Sequence, residues 1–164
     1  MKAKKQISNL WNSGSTYDGR YENLFEHDAN GNITTQIRKD AVGNAIDELT
    51  YQYAKENGKL HHNRLYHIND NISSSAFDDD IDDMGTFDDT DLTAMMFNNN
   101  YVYDAIGNLI KDEQEETDSM IWRPDGKLEK IVRSSSSGKL NLKFDYDVSG
   151  NRIAKHVIDK VVVF

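Results

Sequence analysis

The sequence has no cysteine and a single proline in 164 residues. Without Cys, disulfides, thiolate metal sites and thiol nucleophiles are all excluded. No run of 18 apolar residues occurs, so no segment can cross a bilayer as a helix. Large apolar side chains are scarce: Leu, Ile, Val and Phe make up about 23% of the chain, just above the level of about 20% at which highly charged chains stay unfolded. Basic residues are outnumbered, 19 Lys and Arg against 28 Asp and Glu, for a net charge of -9. Such a chain repels phosphates on average, so nucleic acid is not an expected partner. The start, Met1-Lys2-Ala3-Lys4-Lys5, is basic but leads into no apolar stretch, and a secretory leader is not expected. There is no Gly-x-Ser-x-Gly elbow and no phosphate-binding Gly-rich loop. No acid-base or nucleophile constellation stands out either, so no catalytic residue, cofactor or enzymatic activity is expected.

What the chain does have is glycine and asparagine in a fixed frame. Four stretches repeat Asp-(Ala/Val)-x-Gly-Asn: Asp28-Ala29-Asn30-Gly31-Asn32, Asp40-Ala41-Val42-Gly43-Asn44, Asp104-Ala105-Ile106-Gly107-Asn108 and Asp147-Val148-Ser149-Gly150-Asn151. Gly-Lys-Leu recurs at Gly58, Gly126 and Gly138. Asp at the first position of a type I turn can accept from backbone N–H groups two residues on. Gly three residues later takes φ > 0 and closes a bulged hairpin. Arg123-Pro124-Asp125-Gly126 fits the same frame, with Pro presetting φ. The flanks alternate as half-buried strands do: Leu140, Leu142, Phe144 and Tyr146 share one face, as do Leu49, Tyr51 and Tyr53. About ten antiparallel strands joined by tight turns are expected, an all-β fold.

Other clusters offer chemistry. Ala76–Asp91 holds eight Asp residues, hard oxygen ligands that suit Ca²⁺. The nearest EF-hand alignment puts Asp80, Asp82 and Asp91 at loop positions 1, 3 and 12, the metal candidates. Met84 breaks it at position 5, and a solvated, mobile acidic loop is the preferred reading. His61, His62 and His67 are expected on one strand, with His61 and His67 on one face; surface histidines are preferred over a zinc site. Ser134–Ser137 reads as a flexible hairpin loop. Aromatic residues on strands, Trp122, Tyr51 and Tyr101 foremost, could stack on a sugar, though cross-strand packing accounts for them more simply.

With Tyr103-Asp104-Ala105-Ile106-Gly107-Asn108-Leu109 and Tyr146-Asp147-Val148-Ser149-Gly150-Asn151, the chain resembles the rearrangement-hotspot (RHS), or YD-repeat, family, in its Bacteroidetes-type form. The first turn matches with His27 in place of Tyr, and Asp40–Asn44 keeps the turn behind Lys39. The resemblance implies an antiparallel meander of YD-repeat hairpins in a curved open sheet, a fragment of a shell. Residues 1–16 would be a polar leader, and 17–164 the repeat domain with an acidic insert at about 72–97. Family shells enclose toxins, and related repeats serve adhesion, which implies a parent that is secreted or on the cell surface. The family's Asp-Pro-x-Gly-Leu self-cleavage motif has no counterpart here. Expected partners are the rest of a larger RHS protein or a second copy through an exposed sheet edge, with a glycan or protein ligand as the alternative. The apolar run Val161–Phe164 is expected to cover such an edge, in its own sheet or another copy's.

Overall fold

The computed structural model describes residues 19–72, 81 and 83–159. Among them are ten strands and one helix, so the all-β expectation holds. In order they are β1 (Asn23–His27), β2 (Ile33–Lys39), β3 (Ala45–Glu56), β4 (Lys59–Asp70), α1 (Leu92–Phe97), β5 (Tyr101–Tyr103), β6 (Leu109–Asp112), β7 (Thr117–Trp122), β8 (Leu128–Arg133), β9 (Asn141–Tyr146) and β10 (Arg152–Ile158). Where one sheet was expected there are two: β1-β2-β3-β4, and β5 to β10, each in sequence order. Every assigned pair is antiparallel. The division falls between β4 and β5, which residues 71–100 separate in sequence.

Across that division side chains take over from the ladder. The Tyr103 hydroxyl donates to the Leu65 carbonyl at 2.8 Å, and Arg64 Nη1 donates to the Asp104 carbonyl at 3.3 Å. The Tyr66 and Tyr103 rings meet edge to face at 5.6 Å, a favoured aromatic geometry.

The turns are built as their sequence dictates. At Asp104–Asn108 the Gly107 N–H donates to the Asp104 carbonyl at 3.1 Å, and the Asp104 N–H to the Asn108 carbonyl at 2.9 Å. Gly107 has φ 98° and Gly150 φ 81°, a region that costs a residue with a Cβ strain energy. The Asp side chain does the rest. Asp104 Oδ1 accepts from the N–H groups of Ile106 and Asn108, while Oδ2 accepts from the Asn108 side-chain amide. Asp28, Asp40 and Asp147 repeat all three bonds. The Asp, Gly and Asn of each motif thus have assigned partners.

The core is thin and polar. Leu49, Tyr66 and Ile68 are buried with Ala54, Ala94, Val102 and Phe144, but so are Asp47, His67, Asp83, Asn99 and Asn100. Burial of such groups is tolerated when they are bonded. Asp47 pairs with Arg38 and accepts from the Ile81 N–H at 3.3 Å. Asp83 Oδ2 accepts from the Ile68 N–H at 2.5 Å, and Oδ1 from the Tyr101 hydroxyl at 3.0 Å. The described part of the acidic stretch is therefore docked on the sheet, where a mobile loop was expected; residues 76–80 and Asp82 lie outside the described residues. Its anchors are the buried carboxylates themselves. The serine run is tied down too: Ser137 Oγ donates to Glu116 Oε2 at 2.6 Å and Ser137 is buried. A flexible loop was expected there because a run of serines looks unpartnered in sequence.

Candidate functional site

Each odd-numbered strand from β3 onward carries a pair of large side chains two residues apart, at the very end of β5, β7 and β9 and inside the C-terminal half of β3. The pairs are Tyr51 and Tyr53, Tyr101 and Tyr103, Met120 and Trp122, and Phe144 and Tyr146. In each pair the second ring donates backward to a carbonyl of the preceding strand. Tyr53 reaches Ile33 at 2.8 Å, Tyr103 reaches Leu65 at 2.8 Å, Trp122 Nε1 reaches Leu109 at 2.7 Å, and Tyr146 reaches Leu128 at 2.7 Å. The Tyr of the Tyr-Asp signature is a latch between successive hairpins. Burial, reinforced by the neighbouring Tyr66, pushes the Tyr103 hydroxyl up to about 12, so it stays protonated and able to donate.

The three stacking candidates all have internal partners. Trp122 holds Leu109. The Tyr51 hydroxyl donates to Gln36 Oε1 at 2.6 Å. The Tyr101 hydroxyl donates to Asp83, and burial followed by that carboxylate raises its pKa. Their polar tips are spent on the fold, and their rings are only half exposed.

The metal candidates are dispersed. Asp91 is the N-cap of α1, its side chain accepting from the Ala94 N–H at 2.9 Å; Asp80 and Asp82 lie outside the described residues. Among the described residues no three His, Asp or Glu side chains converge as a metal would need. The histidines separate: His61 is exposed beside Glu56, whereas His67 is buried against Phe87 with Asp83 3.8 Å away. Sequence parity put His61 and His67 on one face and all three at the surface. Register shifts in the β3–β4 ladder between Gln52 and Lys55 break that parity.

One open cleft was not read from sequence. Gln52, Tyr53 and Lys55 of β3 and Asn69 of β4 form one wall. Thr86, Phe87 and Asp89, with Met95 of α1, form the other, around about 360 Å³. The side chains of Gln52, Lys55, Asn69, Thr86 and Asp89 make no hydrogen bond or ion pair among the described residues. Nothing in the sequence brings the 86–95 segment against β3, so no local signal could have found it.

Among the described residues no helix is long and apolar enough to cross a membrane. No family model, curated protein or solved structure matches the chain.

Proposed function

We propose that this chain is a non-catalytic structural module, a run of YD-type hairpins from an RHS-like β-scaffold of the kind that encloses a toxin or serves contacts at a cell surface. One observation carries the reading: the same turn chemistry and the same backward latch recur from hairpin to hairpin, with polar side chains used for internal bonds. In that reading the hairpins belong to a curved open sheet, and the rest of a larger RHS protein is its natural partner. The division between the two sheets is bridged by the same kind of latch that joins strands within them. That equivalence is what a repeat scaffold with one insertion requires.

The second reading, a glycan- or protein-binding module, draws on the cleft beside β3. Its volume of about 360 Å³ falls at the lower end of ligand pockets, roughly 300–1,000 Å³. Phe87 and Tyr53 beside uncommitted amides and a carboxylate are the groups a sugar would use. A glycan array and a panel of hydrolase substrates, both run on the intact chain, test the proposal. The scaffold reading expects neither saturable binding nor turnover. Saturable glycan binding that disappears in Phe87→Ala would overturn it in favour of the cleft.

A further inference from the structure

Among the described residues the latch has two unfilled ends. In three of the four junctions the accepting carbonyl belongs to the first residue of its strand, directly after the turn: Ile33, Leu109 and Leu128. β10 begins the same way, with Arg152 following Gly150-Asn151 and facing Tyr146, as Leu128 faces Trp122. β1 ends the way β5, β7 and β9 end, here in Phe25-Glu26-His27. The His27 side chain makes no hydrogen bond or ion pair among the described residues, and an imidazole N–H can donate as a Tyr hydroxyl does. Among the described strands β1, β4, β5 and β10 each have one assigned neighbour, and the Tyr103 latch joins β5 to β4, which leaves β1 and β10 at the outer ends.

We propose that copies of this chain associate head to tail, β10 of one copy pairing antiparallel with β1 of the next, so that His27 latches onto the Arg152 carbonyl. The proposal rests on the scaffold reading, since it treats the contact as one more hairpin junction. The register follows from two existing junctions. Continued from Thr35↔Thr50 and Lys130↔Lys143, both put the accepting residue opposite the residue just before the donor ring. Applied to the open ends, Arg152 faces Glu26 and Ile153 faces Phe25. Opposite charges therefore meet, and so do two of the exposed large apolar residues, Phe25 at 43% and Ile153 at 66%. Slipping the register by one residue would send each apolar side chain to the wrong face. Because the two edges differ, the contact is heterologous and need not stop at a dimer.

The absence of native cysteine makes the test clean. Phe25→Cys and Ile153→Cys chains of different size, mixed and oxidised, should give the mixed disulfide dimer and little of either homodimer. Leu24→Cys mixed with Ile153→Cys should not cross-link. In sedimentation velocity the unmodified chain should grow in mass with concentration, Glu26→Arg should weaken assembly severalfold, and adding Arg152→Glu should restore it. A monomer at every concentration, homodimers from either single variant, or equal cross-linking by Leu24→Cys would each overturn this pairing. None of these results bears on the glycan array or substrate panel that decides the scaffold reading.

Discussion

Asp104 shows how much of this molecule is decided residue by residue. Its carboxylate binds two backbone N–H groups and the Asn108 amide, and Gly107 supplies the left-handed φ that brings the chain round. Gly107→Val should destabilise the chain by about 1–3 kcal/mol, because a β-branched residue is strained there. Urea unfolding checks it, and wild-type stability would contradict the turn assignment. Titration offers a second test. Hydrogen bonds hold Asp28, Asp40 and Asp147 below the ordinary value of 3.8, led by the Asn32 amide, the Val42 N–H and the Asn151 N–H respectively. At Asp104 burial opposes them, yet the bonds from Asn108, Ile106 and Gly107 still leave the pKa lowered. A carboxylate depressed in the fold stabilises above its unfolded value and loses that contribution as pH falls through the folded one. Their share of the stability should therefore be level above pH 3.8 and decline below it. Asp147→Asn should shrink the acid-side decline, measured by circular dichroism across an acid titration.

At the scale of elements, the latch is the device that needs testing. Tyr146→Phe keeps the ring and removes only the bond to Leu128, so the expected loss is about 0.5–1.5 kcal/mol. Tyr146 and Tyr53 occupy different sheets, so the double Phe variant should lose the sum of the two single losses. Turns and strand alternation were legible because Asp-x-x-Gly-Asn is solved within five residues and needs no tertiary partner. The latch was not, because a Tyr on a strand face looks the same whether its hydroxyl meets a sugar or the preceding strand's carbonyl. α1 escaped for another reason: six residues are too short to show a helical period. Its one local signal, Asp91 before an apolar run, sits inside the acidic stretch, where the density of carboxylates favours a solvated loop or a Ca²⁺ ligand over an N-cap. Asn57-Gly58 was a further missed signal, a two-residue hairpin turn with both φ angles positive.

For the whole molecule, the polar core set the limit of what sequence could reveal. The acidic stretch was expected to be solvated, but Asp83 is buried, and with the buried Asp47 of β3 it holds Ile81 and Asp83 against β2, β4 and β5. Asp83→Ala should be strongly destabilising, since it leaves the Ile68 N–H and the Tyr101 hydroxyl buried without partners at about 1–3 kcal/mol each. Thermal unfolding of this variant beside Asp89→Ala, which lies in the open cleft, separates the two roles; equal melting temperatures would place Asp83 at the surface. The central claim is that the two sheets are one run of equivalent hairpin junctions, interrupted by an insertion. Hydrogen exchange followed segment by segment through a urea series tests this most directly. The account expects β3–β4 and β7–β9 to lose protection at the same urea concentration, with Tyr103→Phe lowering both midpoints together. Separate midpoints for the two sheets in the unmodified chain, or a Tyr103→Phe midpoint shift confined to one of them, would contradict it.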